Sequence, residues 1–372
     1  MIRRCLKWGS AAALRRTGGH LLLGRLAGAR PRVLVLGYHR VVPDLEAAAR
    51  HTIPAMLVSV AMLERQLDWV ARTHRFVTLD EAAAAQSPDA PRSACPLATV
   101  TFDDGYADVH EHAAPLLRRK GIPAAAFVAT DLLGTGGKLA HDVLYALLRR
   151  ALEGSRLPRE TLRLVSQRMG FPSVAAARAL LSGDPLATTR AALCTMPMAG
   201  VGRLVRALEE EFGPPDLGPA PPRPMTWEMV SRLHAQGFLI GSHTRSHPFL
   251  TVETPARVAE ELRGSRDRLQ RHLREAVRHF AYPDGRYDRS IAAAVAEAGY
   301  ASGWGVCGHR DAAQPHLTMP RRLLWEKSCQ DPSGRFSGNI MDCWIAGAFD
   351  LLAPCRMNHE DGSPVSIRAT VT

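Results

Sequence analysis

Short apolar runs alternate with segments of helical spacing along most of the chain. Runs of strand length cover 32–42, 99–102, 123–130, 238–240, 277–282, 301–306 and 321–325, and a further run begins at 75. Between them, apolar residues recur three and four positions apart, as at Leu63, Leu67 and Val70. Strands that alternate with helices predict β/α units arranged around a parallel sheet.

The alternation stops in the middle of the chain. Residues 134–224 contain apolar helical stretches such as Val143–Leu152 and Val201–Phe212, and they end in a connector with six prolines in eleven residues. This pattern predicts a helical insertion with a stiff connector. The insertion could form one wall of a substrate groove, or it could pack against the flank of the sheet.

Two adjacent carboxylates, Asp103 and Asp104, follow the apolar run that ends at Phe102, and Gly105 allows the chain to turn sharply there. Like charges placed together in a partly dry cleft raise each other's pKa unless a cation lies beside them. The pair therefore suggests a cation site, although an Asp-Asp-Gly turn on a solvated surface has the same residues.

Two histidines, His243 and His247, follow another apolar run and Gly241. Their imidazoles can converge on one ion, and two neutral nitrogens with one carboxylate form a common open site for Zn²⁺ or another divalent metal.

These stretches resemble the motifs of the polysaccharide deacetylase family, the NodB-homology domains of carbohydrate esterase family 4. T-F-D-D-G stands at 101–105, the H-[ST]-x-x-H motif at 243–247, and the aromatic and proline segment at 280–285. The resemblance covers roughly 33–324. It implies an α/β fold, a distorted (β/α)7-type barrel (NodB-like) at 32–328 with a helical insertion at about 134–224.

The resemblance also implies roles for the motif residues. Asp104, His243 and His247 would hold the metal ion, Asp103 would be the general base, and the backbone N–H of Asp284 would bind the developing oxyanion. The position that often carries an arginine in the third motif is Ala281 here. What orients the base is therefore open, since the nearby arginines at 278 and 286 are off register.

Substrate contacts are predicted for Tyr282, Pro283 and Trp304, because aromatic faces suit sugar rings. For Trp304 a place in the core is the alternative. The function implied by the family is metal-dependent removal of N-acetyl groups from an amino sugar in a glycan, releasing acetate. The alternatives are an amidohydrolase acting on a small amide or ureide, and a non-catalytic carbohydrate-binding relic.

A general acid is also needed, because amide cleavage expels a poor leaving group. His39 ends the first apolar run, and in a circularly permuted branch of the family the catalytic histidine lies on such an amino-terminal strand. We predict His39 as this acid, and the chain resembles that permuted type. His316 and His359 lie in polar, loop-like surroundings. The alternative is that His39 merely caps its strand.

Charge is unevenly distributed. The formal net charge is +11, and residues 1–43 hold nine Arg or Lys and no acid, so the rest of the chain is nearly neutral. A nucleic-acid partner is therefore not expected. The basic extension at 1–31 has no continuous apolar core typical of a secretory signal. Residues 1–32 could instead contact an anionic membrane surface, or remain a solvated extension.

The seven cysteines are scattered without a C-x-x-C pair, which favours a reducing compartment, and a cytoplasmic location is expected. The tail at 329–372 carries no pattern with a recognisable role. The oligomeric state is not indicated by the sequence.

Overall fold

The computed structural model describes residues 2–26, 32–154 except 88, 89 and 92, 183–350 except 219 and 220, and 359–360. The strands are β1 Val33–Tyr38, β2 Arg40–Val42, β3 Leu57–Ser59, β4 Arg75–Phe76, β5 Leu97–Phe102, β6 Ala124–Val128, β7 Leu239–Ser242, β8 His279–Ala281, β9 Ser302–Gly305, β10 Met319–Pro320 and β11 Arg322–Leu323. The helices are α1 Ile2–Arg16, α2 Gly19–Leu26, α3 Leu45–Ala49, α4 Val60–Ala71, α5 Leu79–Ala85, α6 Ala114–Lys120, α7 Ala140–Gly154, α8 Pro185–Thr195, α9 Met198–Phe212, α10 Trp227–Ala235, α11 Pro255–Leu273, α12 Arg289–Glu297 and α13 Gly338–Ala346.

Eight strands form a nearly closed parallel barrel. Their order is β10-β9-β8-β7-β6-β5-β1-β11, and β4 pairs at the side with β5. The two ends of this path, β10 and β11, are separated in the chain by Arg321 alone. One interrupted strand therefore closes a ring of seven strand positions, which confirms the predicted distorted (β/α)7-type barrel.

Alternation along the strands decides which side chains enter the barrel. Val33, Val35, Phe127, Trp304 and Met319 pack together in one buried apolar cluster, while the intervening residues of β1 pack in a second cluster against the helices. Side chains two residues apart share one face of a strand. Continuing the same alternation past the strand ends directs residues 39, 103, 243 and 321 towards the barrel axis.

The first apolar run is split in the structure. Its beginning, β1, lies in the barrel, but β2 leaves the barrel and pairs with β3 in a separate two-stranded sheet. His39 lies at the break between them. The bend places this side chain at the carboxyl end of β1, where the chain turns away from the barrel.

The helical insertion packs on the face of the barrel at the carboxyl ends of the strands. Its helices α7, α8 and α9 share an apolar cluster with Phe249, which lies in the loop after β7. The carboxylate of Glu253 in the same region accepts a hydrogen bond of 2.6 Å from the backbone N–H of Met198. Of the two placements that the sequence left open, the structure shows contact with the loops at the carboxyl ends of the strands.

The basic segment before the barrel forms two helices, α1 and α2, called here the N-terminal hairpin (residues 2–26). The N-terminal hairpin packs against α13, and Ala11, Ile340 and Cys343 are buried between them. Within the part of the chain that the structure describes, no helix has the length and apolarity needed to cross a membrane.

Candidate active site

The two carboxylates lie in a tight turn directly after β5. Asp104 has φ 71° and Gly105 has φ 77°, so both adopt the left-handed conformation. A Cβ at Gly105 would lie 3.1 Å from side-chain atoms of Val128, so both conformation and space favour glycine there. The turn lets the consecutive side chains of Asp103 and Asp104 reach one site.

The histidine loop after β7 is held in a similarly unusual conformation. Thr244 and His247 have φ 69° and 61°. The buried carboxylate of Glu261 accepts hydrogen bonds of 2.7 and 2.9 Å from the backbone N–H groups of Arg245 and Ser246. Non-glycine residues keep such conformations only where the surroundings hold them, and they concentrate at functional sites.

Asp104, His243 and His247 come together as the sequence predicts, and their ligand atoms all lie within 4.8 Å of one another. The Nε2 atoms of His243 and His247 are 3.4 and 3.1 Å from Oδ1 of Asp104. The Nδ1 of His243 lies 2.7 Å from the carbonyl oxygen of Ala281. A carbonyl oxygen can only accept, so the neutral ring carries its hydrogen on Nδ1 and turns the lone pair of Nε2 towards the carboxylate.

Electrostatics at this triad favour a charged carboxylate. Burial acts to raise the pKa of Asp104, but the His247 charge and the two adjacent imidazoles outweigh it and hold this pKa well below its ordinary value. His243 and His247 are themselves buried. The site therefore presents one anionic oxygen and two imidazole nitrogens to the same small volume.

Asp103 is held by an arginine from the last strand position. Arg321 donates to both carboxylate oxygens of Asp103, over 2.6 and 2.8 Å, and also to Oγ1 of Thr101 over 3.1 Å. All of the Arg321 side chain is buried. Burial acts to raise the pKa of Asp103, and the Arg321 charge is the largest effect in the opposite direction. The net result is a lowered pKa, so the carboxylate stays ionised.

Arg321 is the partner of Asp103 that the sequence did not indicate. It is the group that orients Asp103, and neither Arg278 nor Arg286 makes this contact. A signal was present in the sequence: Arg321 stands between Met319 and Leu323 at an inward-facing position of an apolar strand. A charge in such a position requires a buried partner.

His39 is half-buried at the carboxyl end of β1. The backbone N–H of Asp103 donates to the carbonyl oxygen of Tyr38, the preceding residue, over 2.9 Å, so His39 lies next to the two carboxylates. Its predicted role as general acid stays a prediction. Of the two other histidines considered, His316 is exposed, and His359 is buried with its Nδ1 2.8 Å from the carbonyl oxygen of Tyr287.

A further polar group borders the triad. His141, at the start of α7, has its Nε2 4.0 Å from Oδ2 of Asp104 and 2.8 Å from the hydroxyl of Tyr106, which donates to Asp142 over 2.8 Å. Burial lowers the pKa of His141 to about 3 and raises the pKa of Asp142 to about 7. The sequence alone assigned these residues no role.

Asp284 lies in the short turn after β8 and has φ 53°. Arg190 of α8 donates to both of its carboxylate oxygens, over 3.2 and 3.0 Å. The turn directly follows Ala281, whose carbonyl oxygen lies 2.7 Å from Nδ1 of His243, so it lies beside the triad. The helical insertion therefore contacts the turn that is predicted to bind the oxyanion.

The predicted sugar contacts of Tyr282 and Trp304 are wrong for their side chains. Both are fully buried. The Tyr282 hydroxyl donates to the carbonyl oxygen of Leu317 over 2.7 Å, and Nε1 of Trp304 donates to Oγ of Ser302 over 2.9 Å. Each polar atom finds its partner inside the protein, so the rings fill the core. Pro283 is buried in the adjacent turn, and its substrate contact stays a prediction.

The barrel and the motif residues gathered at its carboxyl end define a deacetylase. The polysaccharide deacetylase family model matches residues 91–157 and 203–303, which contain the Asp-Asp turn, the histidine loop and the turn after β8. The chain therefore carries a polysaccharide deacetylase domain. His39 and Arg321 lie outside both matched segments.

Solved structures show the same fold. The Streptococcus pyogenes deacetylase PplD in complex with acetate superposes with a TM-score of 0.50 at 18% sequence identity, covering 81% of this chain and 95% of that chain. A polysaccharide deacetylase from Bacillus cereus superposes with a TM-score of 0.50 at 14% identity, covering 84% and 68% of the two chains. Among curated proteins, no sequence matches the chain significantly.

Proposed function

We propose that the protein is a metal-dependent hydrolase that removes N-acetyl groups from an amino sugar within a glycan and releases acetate. The observation that carries this proposal is the buried Asp104–His243–His247 triad next to an ionised Asp103. The domain family supports glycan deacetylation as the reaction class.

The residues fit a divalent ion. Both carboxylate oxygens of Asp104 are buried and lack a hydrogen-bond donor, an arrangement that is costly without a cation. Two imidazoles and one carboxylate with an open position are typical of catalytic zinc sites. A bound ion would polarise the amide carbonyl and acidify a water molecule.

Asp103 is suited to be the general base. Its carboxylate is ionised, and the two hydrogen bonds from Arg321 fix its orientation while leaving lone pairs to accept a proton from the attacking water. Arg321 is a positioning residue in this proposal, because it touches Asp103 and does not reach the substrate itself.

We propose that His39 protonates the departing amine, because it lies next to the two carboxylates and imidazole is a common proton donor in catalysis. The backbone N–H of Asp284 is proposed to stabilise the oxyanion. The helices α7, α8 and α9 lie over the same face, so we propose that they form one wall of the substrate groove.

The test is acetate release from a panel of N-acetylated glycans and from small ureides, with and without a chelator. We expect release from glycans only, loss of activity with the chelator, and recovery with Zn²⁺. Asp104→Asn should lose both bound metal and activity, whereas Asp103→Asn should keep the metal and lose about 10²-fold or more in rate. His316→Ala is the matched control, because this histidine is exposed.

Turnover of ureides in preference to glycans would support the amidohydrolase instead. Glycan binding without acetate release by the metal-loaded protein would support the non-catalytic relic. Normal metal content in Asp104→Asn would contradict the assigned metal site.

A further inference from the structure

The N-terminal hairpin uses one face of each helix to pack on the enzyme. In α1, Ala11 is fully buried, and Lys7 donates to the carbonyl oxygen of Ser328 over 2.8 Å. In α2, Gly24 lies so close to α13 that a Cβ would fall 1.9 Å from the carbonyl oxygen of Ala346. These contacts attach the N-terminal hairpin firmly to α13.

The N-terminal hairpin also carries exposed apolar side chains. Trp8, Leu21, Leu22 and Leu26 are 44%, 52%, 57% and 67% exposed. In the part of the chain that the structure describes, these four are the only large hydrophobic side chains that are exposed. All four lie on the N-terminal hairpin, three of them on α2, and exposed apolar side chains concentrated on one element mark an interaction surface, whereas scattered ones do not.

The N-terminal hairpin is also basic. Arg16 and Arg25 lie in the last turns of α1 and α2, and both are exposed. Arg15 is paired with Asp342 over 2.5 Å and does not contribute a free charge. Residues 1–43 contain no acid. A partner that fits this surface therefore has both an apolar layer that can take up these side chains and negative charge.

We propose that the N-terminal hairpin docks the enzyme on an anionic lipid surface. Basic amphipathic helices lie in the interface with their apolar side chains among the acyl chains and their cationic groups at the headgroups, and tryptophan favours the same depth. The helices have 15 and 8 residues, which is too short to span a bilayer. Because α13 fixes the hairpin, docking would hold the whole barrel at the membrane surface.

The test uses point variants of the full chain. Truncation is unsuitable, since it would uncover Ile340 and Cys343. The apolar set is Leu21→Ser, Leu22→Ser and Leu26→Ser, and the charge set is Arg16→Gln with Arg25→Gln. The control set, Arg118→Gln with Arg119→Gln, removes the same charge from exposed positions of α6.

The measurement is cosedimentation with vesicles of phosphatidylcholine alone or mixed with phosphatidylglycerol. We expect the wild type to bind the anionic vesicles at least about tenfold more strongly, with binding weakened by salt. The apolar and charge sets should each reduce this binding about tenfold or more, while the control set leaves it unchanged. Turnover of a soluble substrate should be the same in all of them.

Three outcomes would overturn the proposal. The first is no binding of the wild type to anionic vesicles, and the second is equal binding to both vesicle types. The third is a dimer without vesicles that the apolar set abolishes, because a second copy would then cover this face. Sedimentation velocity without lipid detects the third outcome.

Discussion

Arg321 and Asp103 are 218 residues apart in the chain and form a buried pair with two hydrogen bonds of 2.6 and 2.8 Å. Arg321 also closes the barrel, since it lies between β10, which pairs with β9, and β11, which pairs with β1. Closure of the barrel and orientation of the proposed base therefore depend on the same residue.

Arg321→Lys should keep the metal but lose about tenfold or more in kcat with a smaller change in KM, because an ammonium cannot bind both carboxylate oxygens in the planar arrangement. Steady-state kinetics with parallel metal analysis checks this. Arg321→Ala should unfold more easily, since it leaves the Asp103 charge buried without its partner. Unchanged kcat in the folded Arg321→Lys variant would show that the pair supports the barrel alone.

His39→Ala should retain the metal and lose about 10²-fold or more in the rate on an N-acetyl sugar. On an activated aryl acetate ester the loss should be smaller, because that leaving group needs no proton. The ratio of the two losses, with His316→Ala as control, is the measurement. Equal losses on both substrates, or a lost metal, would assign His39 a different role.

Arg190→Ala should reduce kcat severalfold without changing metal content, because Asp284 would lose the partner that connects its turn to α8. Arg190→Lys should recover part of the rate. Arg118→Ala, an exposed arginine of α6, is the control. A change confined to KM would indicate that Arg190 contacts the substrate and does not act through the turn at Asp284.

His279 should make stability depend on pH. Burial lowers the pKa of His279, although Asp80, 2.9 Å from its Nε2, acts to raise this pKa. The unfolded chain therefore binds a proton more readily, and the free energy of unfolding should fall as the pH drops below about 6.5 towards the lower pKa of the folded state. Chemical denaturation of wild type and His279→Asn at several pH values checks this.

The variant should show a shallower loss of stability over that window, even if it is less stable at neutral pH. His272→Asn, at an exposed position of α11, is the control. Equal pH slopes for wild type and His279→Asn would contradict the assignment.

The sequence indicated the β/α alternation around a parallel sheet, the Asp-Asp pair and the two histidines, and the resemblance of its motifs to the deacetylase family implied the barrel and the three residues of the proposed metal site. These features were readable because each depends on a short segment: a strand period, a strand end with glycine, or two histidines four residues apart. Parallel strands then bring their carboxyl ends to one face of the barrel. Distant segments therefore meet there without any further local signal.

Only the tertiary structure showed how the barrel closes. The partner of Asp103 depends on the register of β10 and β11 against opposite ends of the sheet, which no local pattern encodes. Tyr282 and Trp304 are residue types that often contact sugars, but both side chains are fully buried in this fold and belong to the core. The places of the helical insertion and the N-terminal hairpin likewise depend on long-range packing between segments that carry no shared sequence signal.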